Sequence, residues 1–158
     1  MLYHRLGLTS KAVLNLHTLF QQQTMIDKKP ITLRSAQMFL KGEITPKNGF
    51  NNFLATLDAH IDTYASIIVN EHKSKTLSLV SFSDENELWC EHESLRGCPL
   101  ELYMCLLSRV ITIARTKGIK TAFIPQEHSD DVDWKISYNL ALPILLLMKE
   151  FSSSSRFI

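Results

Sequence analysis

No apolar run in this chain approaches the roughly eighteen residues that a membrane-spanning helix needs. The best candidate, Leu140 to Met148, is short and contains Pro143. Glycine is scarce, at five in 158 residues, and too scattered to form a phosphate-cradling loop or a nucleophile elbow. No paired-histidine metal motif is present. Cysteine is limited to Cys90, Cys98 and Cys105, an odd count that fits a reducing cytoplasm better than a disulfide framework. Met1 to Phe20 lacks a continuous apolar segment followed by a small-residue cleavage site, so no secretory signal is expected. These absences argue against a membrane protein, a secreted disulfide scaffold and the commoner motif-bearing enzymes. A cytoplasmic protein without cofactor, metal or catalytic role is the expectation.

What is present is the composition of an ordinary globular chain, 45% apolar and 21% charged. Its length suits one domain or two small ones, either able to bury a real core. The formal charge of +1 conceals an asymmetry. Residues 1 to 50 hold seven basic side chains against two acidic, a net +5, whereas the remainder holds ten against fourteen, a net −4. A basic front half supplies the sequence-independent phosphate attraction that a nucleic-acid binder requires. Five net charges over fifty residues are also common on solvated surfaces, so the asymmetry alone decides nothing.

Hydrophobic spacing gives the elements. Ala12, Leu16, Leu19 and Phe20, widened by Val13, predict a helix over 9–21, with Thr9 or Ser10 as its cap. The polar stretch 22–30 has room for one helical turn around Met25 and Ile26. Phe50, Phe53, Leu54, Leu57, Ile61, Tyr64 and Ile68 keep the 3.6 period through five turns of a helix expected to open at Pro46. The charged run 70–75 marks a boundary. Beyond it, 76–82 alternates as a strand, Pro99 to Thr116 reads as a helix ended by Gly118, and 120–124 reads as a second strand stopped by Pro125. Ser129 to Asp131 would cap a final helix through Trp134, Ile136 and Leu140, kinked at Pro143. The expected class is therefore α+β: an all-α domain over 1–72, a small βαβα domain over 73–151, and a disordered serine-rich tail over 152–158. A right-handed crossover is expected if the strands are parallel.

The stretch 32–46 carries the most chemistry. Thr32 is a good N-cap, Gly42 can close the helix in the left-handed conformation, and Thr45-Pro46 is the matching start of another helix. Arg34, Ser35, Gln37 and Lys41 are polar, while Leu33, Ala36, Phe39 and Leu40 can face a core. A helix that enters the DNA major groove is built this way, since arginine fits guanine edges and glutamine fits adenine edges.

The run Thr32-Leu33-Arg34-Ser35-Ala36-Gln37-Met38-Phe39-Leu40-Lys41-Gly42 resembles the recognition-helix stretch of YdiL-like helix-turn-helix proteins. These belong to the wider xenobiotic-response-element (XRE) class and include the anti-CRISPR-associated autorepressors of phages. Their pattern Arg-Ser-x-Gln-x-aromatic-x-x-Gly, followed by a helix-opening proline, is filled here by Arg34, Ser35, Gln37, Phe39, Gly42 and Pro46. Asp133-Trp134-Lys135-Ile136, with Ala141 following, is similar to that family's C-terminal Asp-Trp-Lys-type motif, and Thr9, Lys11, Leu19 and Phe20 match its first helix. Together these patches cover about a quarter of the chain. Two features depart from the pattern: Ala36 stands at a usually aromatic position, and 24–30, corresponding to the motif's second helix, has neither alanine nor glycine. The resemblance implies a DNA-binding front domain, a dimerising back domain and a transcriptional-repressor role.

Other constellations carry less. Cys90, His92, Cys98 and Cys105 have zinc-ligand chemistry, but their spacing matches no finger, ribbon or knuckle, and Cys105 sits among leucines as a small buried residue would. Cys90, His92, His128 and Asp130 include the parts of a nucleophilic site, as most chains of this size do. His128 to Asp131 reads more simply as a turn and helix cap. Trp134, Tyr138, Leu142 and Leu145 lie on a helix that is apolar nearly all round, which favours burial between two chains and hence a homodimer. The expectation is a dimeric DNA-binding regulator, with Arg34 and Gln37 on bases and Thr32, Ser35, Lys41 and Lys47 positioning the backbone. The alternative is a protein-interaction module whose helix-turn-helix has lost its DNA activity.

Overall fold

Thr9 ends the first short segment and starts the first long helix. Its hydroxyl accepts from the Ala12 amide at 3.2 Å, satisfying one orphan donor of the helix start, and its carbonyl accepts the first regular helical bond from the Val13 amide at 2.9 Å. In a computed structural model that describes residues 2–24, 29–46, 49–71, 76–91, 93 and 96–125, that helix is α2, Ser10–Thr24, preceded by a single turn α1, Leu2–Arg5. The order continues α3 Leu33–Lys41, α4 Phe50–Glu71, β1 Thr76–Ser81, α5 Glu85–Glu91, α6 Leu100–Thr116 and β2 Lys120–Pro125. The molecule is thus mainly helical with a small two-stranded parallel sheet. None of its helices is long and apolar enough to cross a membrane, among the described residues.

The spacing of apolar residues fixes which faces are buried. Ala12, Val13, Leu16, Leu19 and Phe20 turn one side of α2 inward, and α4 buries Phe50, Phe53, Leu54, Leu57, Ile61, Ala65, Ile68 and Val69. Phe20, Phe50 and Phe53 gather with His17 into an aromatic cluster, with the Phe20–Phe53 centroids 5.3 Å apart and His17–Phe50 edge-on at 4.8 Å. Such pairs add about 0.5–1.5 kcal/mol beyond their area burial.

β1 pairs with β2 in parallel, Thr76 opposite Lys120 and Val80 opposite Ile124. Leu77 and Leu79 point to one face and Val80 to the other, and all three are buried, as expected for a parallel strand covered on both sides. The connection between them holds two helices. The expected strand–helix–strand order thus becomes strand, helix, helix, strand, with α5 as an additional short element. Asp84 starts it by accepting from the Glu87 amide at 3.0 Å, and the Glu87 carboxylate reaches back to the Ser83 amide at 2.7 Å, a reciprocal capping pair in the sense of the capping box. Seven residues carry too little periodicity to announce a helix.

Packing joins the two halves. α4 lies along α6, whose Leu102, Tyr103, Leu106, Leu107, Val110 and Ala114 are buried. One apolar core runs from Leu6 to Ala114. The buried Tyr103 hydroxyl donates to the Val80 carbonyl at 2.8 Å and its ring meets Phe82 at 5.1 Å, tying α6 to β1. The boundary expected between 72 and 73 falls outside the described residues.

α4 begins at Phe50, not at Pro46, because Gly49 (φ 80°) supplies the entry turn and its carbonyl takes the Phe53 amide. The stretch 24–30, expected to correspond to the motif's second helix, lies largely outside the described residues. The final helix and the dimer-interface residues Trp134, Tyr138, Leu142 and Leu145 lie outside the described residues, as do the tail 152–158, Met25 and Ile26.

Candidate functional site

α3 is started by the side chain of Thr32 and stopped by the backbone of Gly42. Thr32 is extended (φ −87°, ψ 160°) and its hydroxyl accepts from the Ser35 amide at 3.1 Å, with the two hydroxyls also 3.1 Å apart. At the other end Gly42 adopts φ 74°, and the Glu43 amide reaches the Met38 carbonyl at 3.0 Å while Gly42 reaches that of Phe39. That is the 6→1 and reversed closure of a Schellman-type end, which needs a residue without a Cβ penalty.

The nine residues between these caps divide by face. Ala36 and Phe39 are buried and hold α3 against α2, with Leu40 partly buried beside them. Arg34, Gln37 and Lys41 are exposed. At 100° per residue, positions 33, 37, 41 and 34 fall within one arc of about 100°, and Leu33, at 49% exposure, completes it. Among the described residues Arg34, Gln37 and Lys41 make no intramolecular polar contact, so their donors are available to a ligand.

Of the residues expected to touch DNA, Arg34, Gln37 and Lys41 are therefore brought together on one exposed arc. Thr32 and Ser35 are engaged with each other in the cap. Lys47 lies outside the described residues.

Comparison with protein-family models, with curated proteins and with solved structures finds no match in any of the three.

The zinc-type constellation does not assemble around its described members. Cys90 is exposed, Cys98 buried and Cys105 half-buried, and no group of three or more metal-ligating side chains comes together among the described residues. His92 lies outside them. Cys98 is instead a core residue. Burial, reinforced by the charges of Glu85 and Glu101, pushes its thiol up to about 12, the direction expected when ionisation must occur away from water. The Cys105 thiol is also raised, chiefly by burial.

A second feature was not anticipated. Arg109 on α6 donates from Nη2 to Asp58 Oδ1 at 2.5 Å and to the Arg5 carbonyl at 3.0 Å. From Nη1 it donates to Asp62 Oδ1 and to the Asp58 carbonyl, both at 2.9 Å. Arg5 adds Nε to Asp58 Oδ2 at 3.0 Å and Nη2 to Asp62 Oδ2 at 3.2 Å. Two guanidinium groups and two carboxylates thus neutralise one another where α1, α4 and α6 meet. Asp58 and Asp62 are four residues apart on one helix, where like charges repel; that spacing was the available signal that cations from elsewhere must come to them. Beside this quartet opens a cleft of about 660 Å³, walled by Arg5, Lys11, Glu85, Glu101, Met104 and Arg109 among others.

Proposed function

We propose that this chain is a sequence-specific DNA-binding regulator, a repressor acting as a homodimer, and that α3 is its recognition helix. The observation that carries this reading is the division of α3: a short, doubly capped helix anchored by Ala36 and Phe39, presenting Arg34, Gln37 and Lys41 on one solvent-facing arc. Arg34 supplies a bidentate fork for guanine and Gln37 an amide for adenine. Lys41 and Lys47 meet phosphates, and the Thr32–Ser35 cap sets the angle of the helix start. The basic charge of the first fifty residues adds attraction to the duplex. In this reading α2 and α3 belong to a helix-turn-helix domain. The unit of β1, α5, α6 and β2, with the sequence around Trp134, is the dimerisation domain, so that two α3 helices face inverted half-sites about one DNA turn apart.

Fluorescence anisotropy with duplex DNA from upstream of the chain's own gene, across a salt series, tests this. The wild type is expected to bind with steep salt dependence. Arg34→Ala is expected to lose roughly 1–3 kcal/mol at the cognate site only, whereas Lys47→Ala weakens all sequences alike and flattens the salt slope by about one. Absent binding, or equal losses on specific and random DNA for both variants, overturns the proposal.

The exposed arc of Arg34, Gln37 and Lys41 also fits a second reading, in which it meets a protein partner and no DNA. Wild-type protein that ignores duplex DNA at low salt would select it.

A further inference from the structure

The two strands of the sheet are covered unequally. β1 and β2 are in register, so Leu77 stands beside Thr121 and Leu79 beside Phe123 on one face, and Val80 stands beside Ile124 on the other. Leu77 and Leu79 are completely buried and Val80 nearly so. Their neighbours are not: Thr121 and Ile124 are half-buried, Ala122 is exposed, and Phe123 is 53% exposed. The packing that covers β1 therefore stops short of β2 on both faces. Parallel strands are normally covered on both sides. Phe123 is the most open large apolar side chain among the described residues, and it lies next to a fully buried leucine. That contrast marks the edge of a layer that the described residues do not supply.

We propose that the exposed face of β2 is the docking surface for the chain's own segment 134–148, whose apolar side chains close over Phe123. The described residues end at Pro125, the last residue of β2, so the sequence that follows leaves from the edge of the uncovered surface. Trp134 lies nine residues past Pro125. Nine extended residues span about 30 Å, and Phe123 is two residues back along the strand, about 7 Å away, so the tether reaches easily. The segment has apolar side chains for two surfaces. At about 100° per residue in a helix, Ile136, Leu140, Ile144 and Leu147 fall about 200° from Trp134, Tyr138, Leu142 and Leu145. The first stripe is assigned to β2, which leaves the second for the dimer interface. Charge complements shape: Arg115, Lys117 and Lys120 are exposed around the start of β2, and the linker carries Glu127, Asp130, Asp131 and Asp133. A second copy offers the same segment, but a short covalent tether holds the chain's own at an effective concentration of about a millimolar. This inference is independent of whether α3 reads DNA.

The test puts the photoreactive residue benzoylphenylalanine in place of Phe123 in the full chain, irradiates it, and separates the denatured product by mass. A link within one chain leaves the product at the mass of a single chain, whereas a link between chains doubles it. The expected product has single-chain mass, with the linked peptide inside 134–148. The same photoreactive residue in place of Ile67, 40% exposed on α4, is expected not to reach that peptide. A product of doubled mass, a link from position 123 to any other segment, or no link at all overturns the proposal. Hydrogen exchange gives a second measurement. Phe123→Asp places a charge at a position already open to water, and should speed amide exchange across 134–148 at least roughly tenfold while α4 and α6 keep their protection. Exchange across 134–148 that Phe123→Asp leaves unchanged also overturns it.

Discussion

Arg109 and Asp58 meet twice, once through the carboxylate at 2.5 Å and once through the main-chain carbonyl at 2.9 Å. The contact fastens α6 to the middle of α4 at a point where both side chains are about 15% exposed. A fork that bonds side chain and backbone of one residue fixes the register of two helices as well as their attraction, and the planar guanidinium holds both donors in a rigid geometry.

Replacing that arginine is therefore expected to cost more than replacing its exposed neighbour. Arg109→Met should lose roughly 2–4 kcal/mol, because the partly buried Asp58 then keeps only the exposed Arg5 as its charge partner. Arg5→Ala, with a side chain 58% exposed, should lose no more than about 1 kcal/mol. Urea denaturation followed by circular dichroism measures both, and Arg109→Lys should fall between them.

Alkaline pH should expose the state of Cys98. Its thiol is pushed from 9.0 up to about 12 in the fold, so folding opposes ionisation. Stability from this group is fully present below about pH 9, the ordinary thiol value, and is lost as pH rises from there toward 12. Tyr103, also raised by burial, adds to the decline above about pH 10. Urea midpoints between pH 8 and 11 should fall, and Cys98→Ala should reduce the slope between pH 9 and 10.

Thiol labelling under native conditions should follow exposure. Cys90 is expected to react with an aromatic disulfide reagent first, Cys105 more slowly because it is half-buried with a raised thiol pKa, and Cys98 only on global unfolding. Labelling rates with and without urea check the order.

The two ends of α3 should be separately breakable. Thr32→Ala removes the acceptor for the Ser35 amide and should cost about 1 kcal/mol. Gly42→Val places a β-branched side chain at φ 74° and should cost at least about 1 kcal/mol. Both should lower protection from hydrogen exchange within α3 well before the global transition.

Periodicity and punctuation made much of this molecule readable. Thr9, Thr32, Gly42 and Gly118 ended or began elements where the sequence indicated, because capping is a property of one or two residues, whereas Pro125 is itself part of β2. The apolar stripe of α4 was legible for the same local reason. What escaped was either too short to show a period or depended on residues far apart in the chain. α5 is held by Asp84 and Glu87 and by the Trp89 indole donating to the Cys98 carbonyl at 2.9 Å. Its seven residues show no stripe that would separate it from a loop. The α4 start moved to Phe50 because Gly49 turns the chain after a proline that looked sufficient. The quartet brings together residues as distant as Arg5 and Arg109, and only the Asp58–Asp62 spacing hinted at it. In α3 the available donors of Arg34, Gln37 and Lys41 followed from pattern, but the mutual engagement of Thr32 and Ser35 required coordinates.

The parallel pairing of Thr76 with Lys120 has a consequence for how the chain is made. A parallel pair cannot close through a tight hairpin, so β1 must wait for α5, α6 and β2 before its ladder forms. During synthesis at about 5–20 residues per second, the inward face of α4 and both faces of β1 emerge seconds before α6 arrives to cover them. Conditions that lengthen that interval should favour aggregation of the nascent chain over loss of the finished protein.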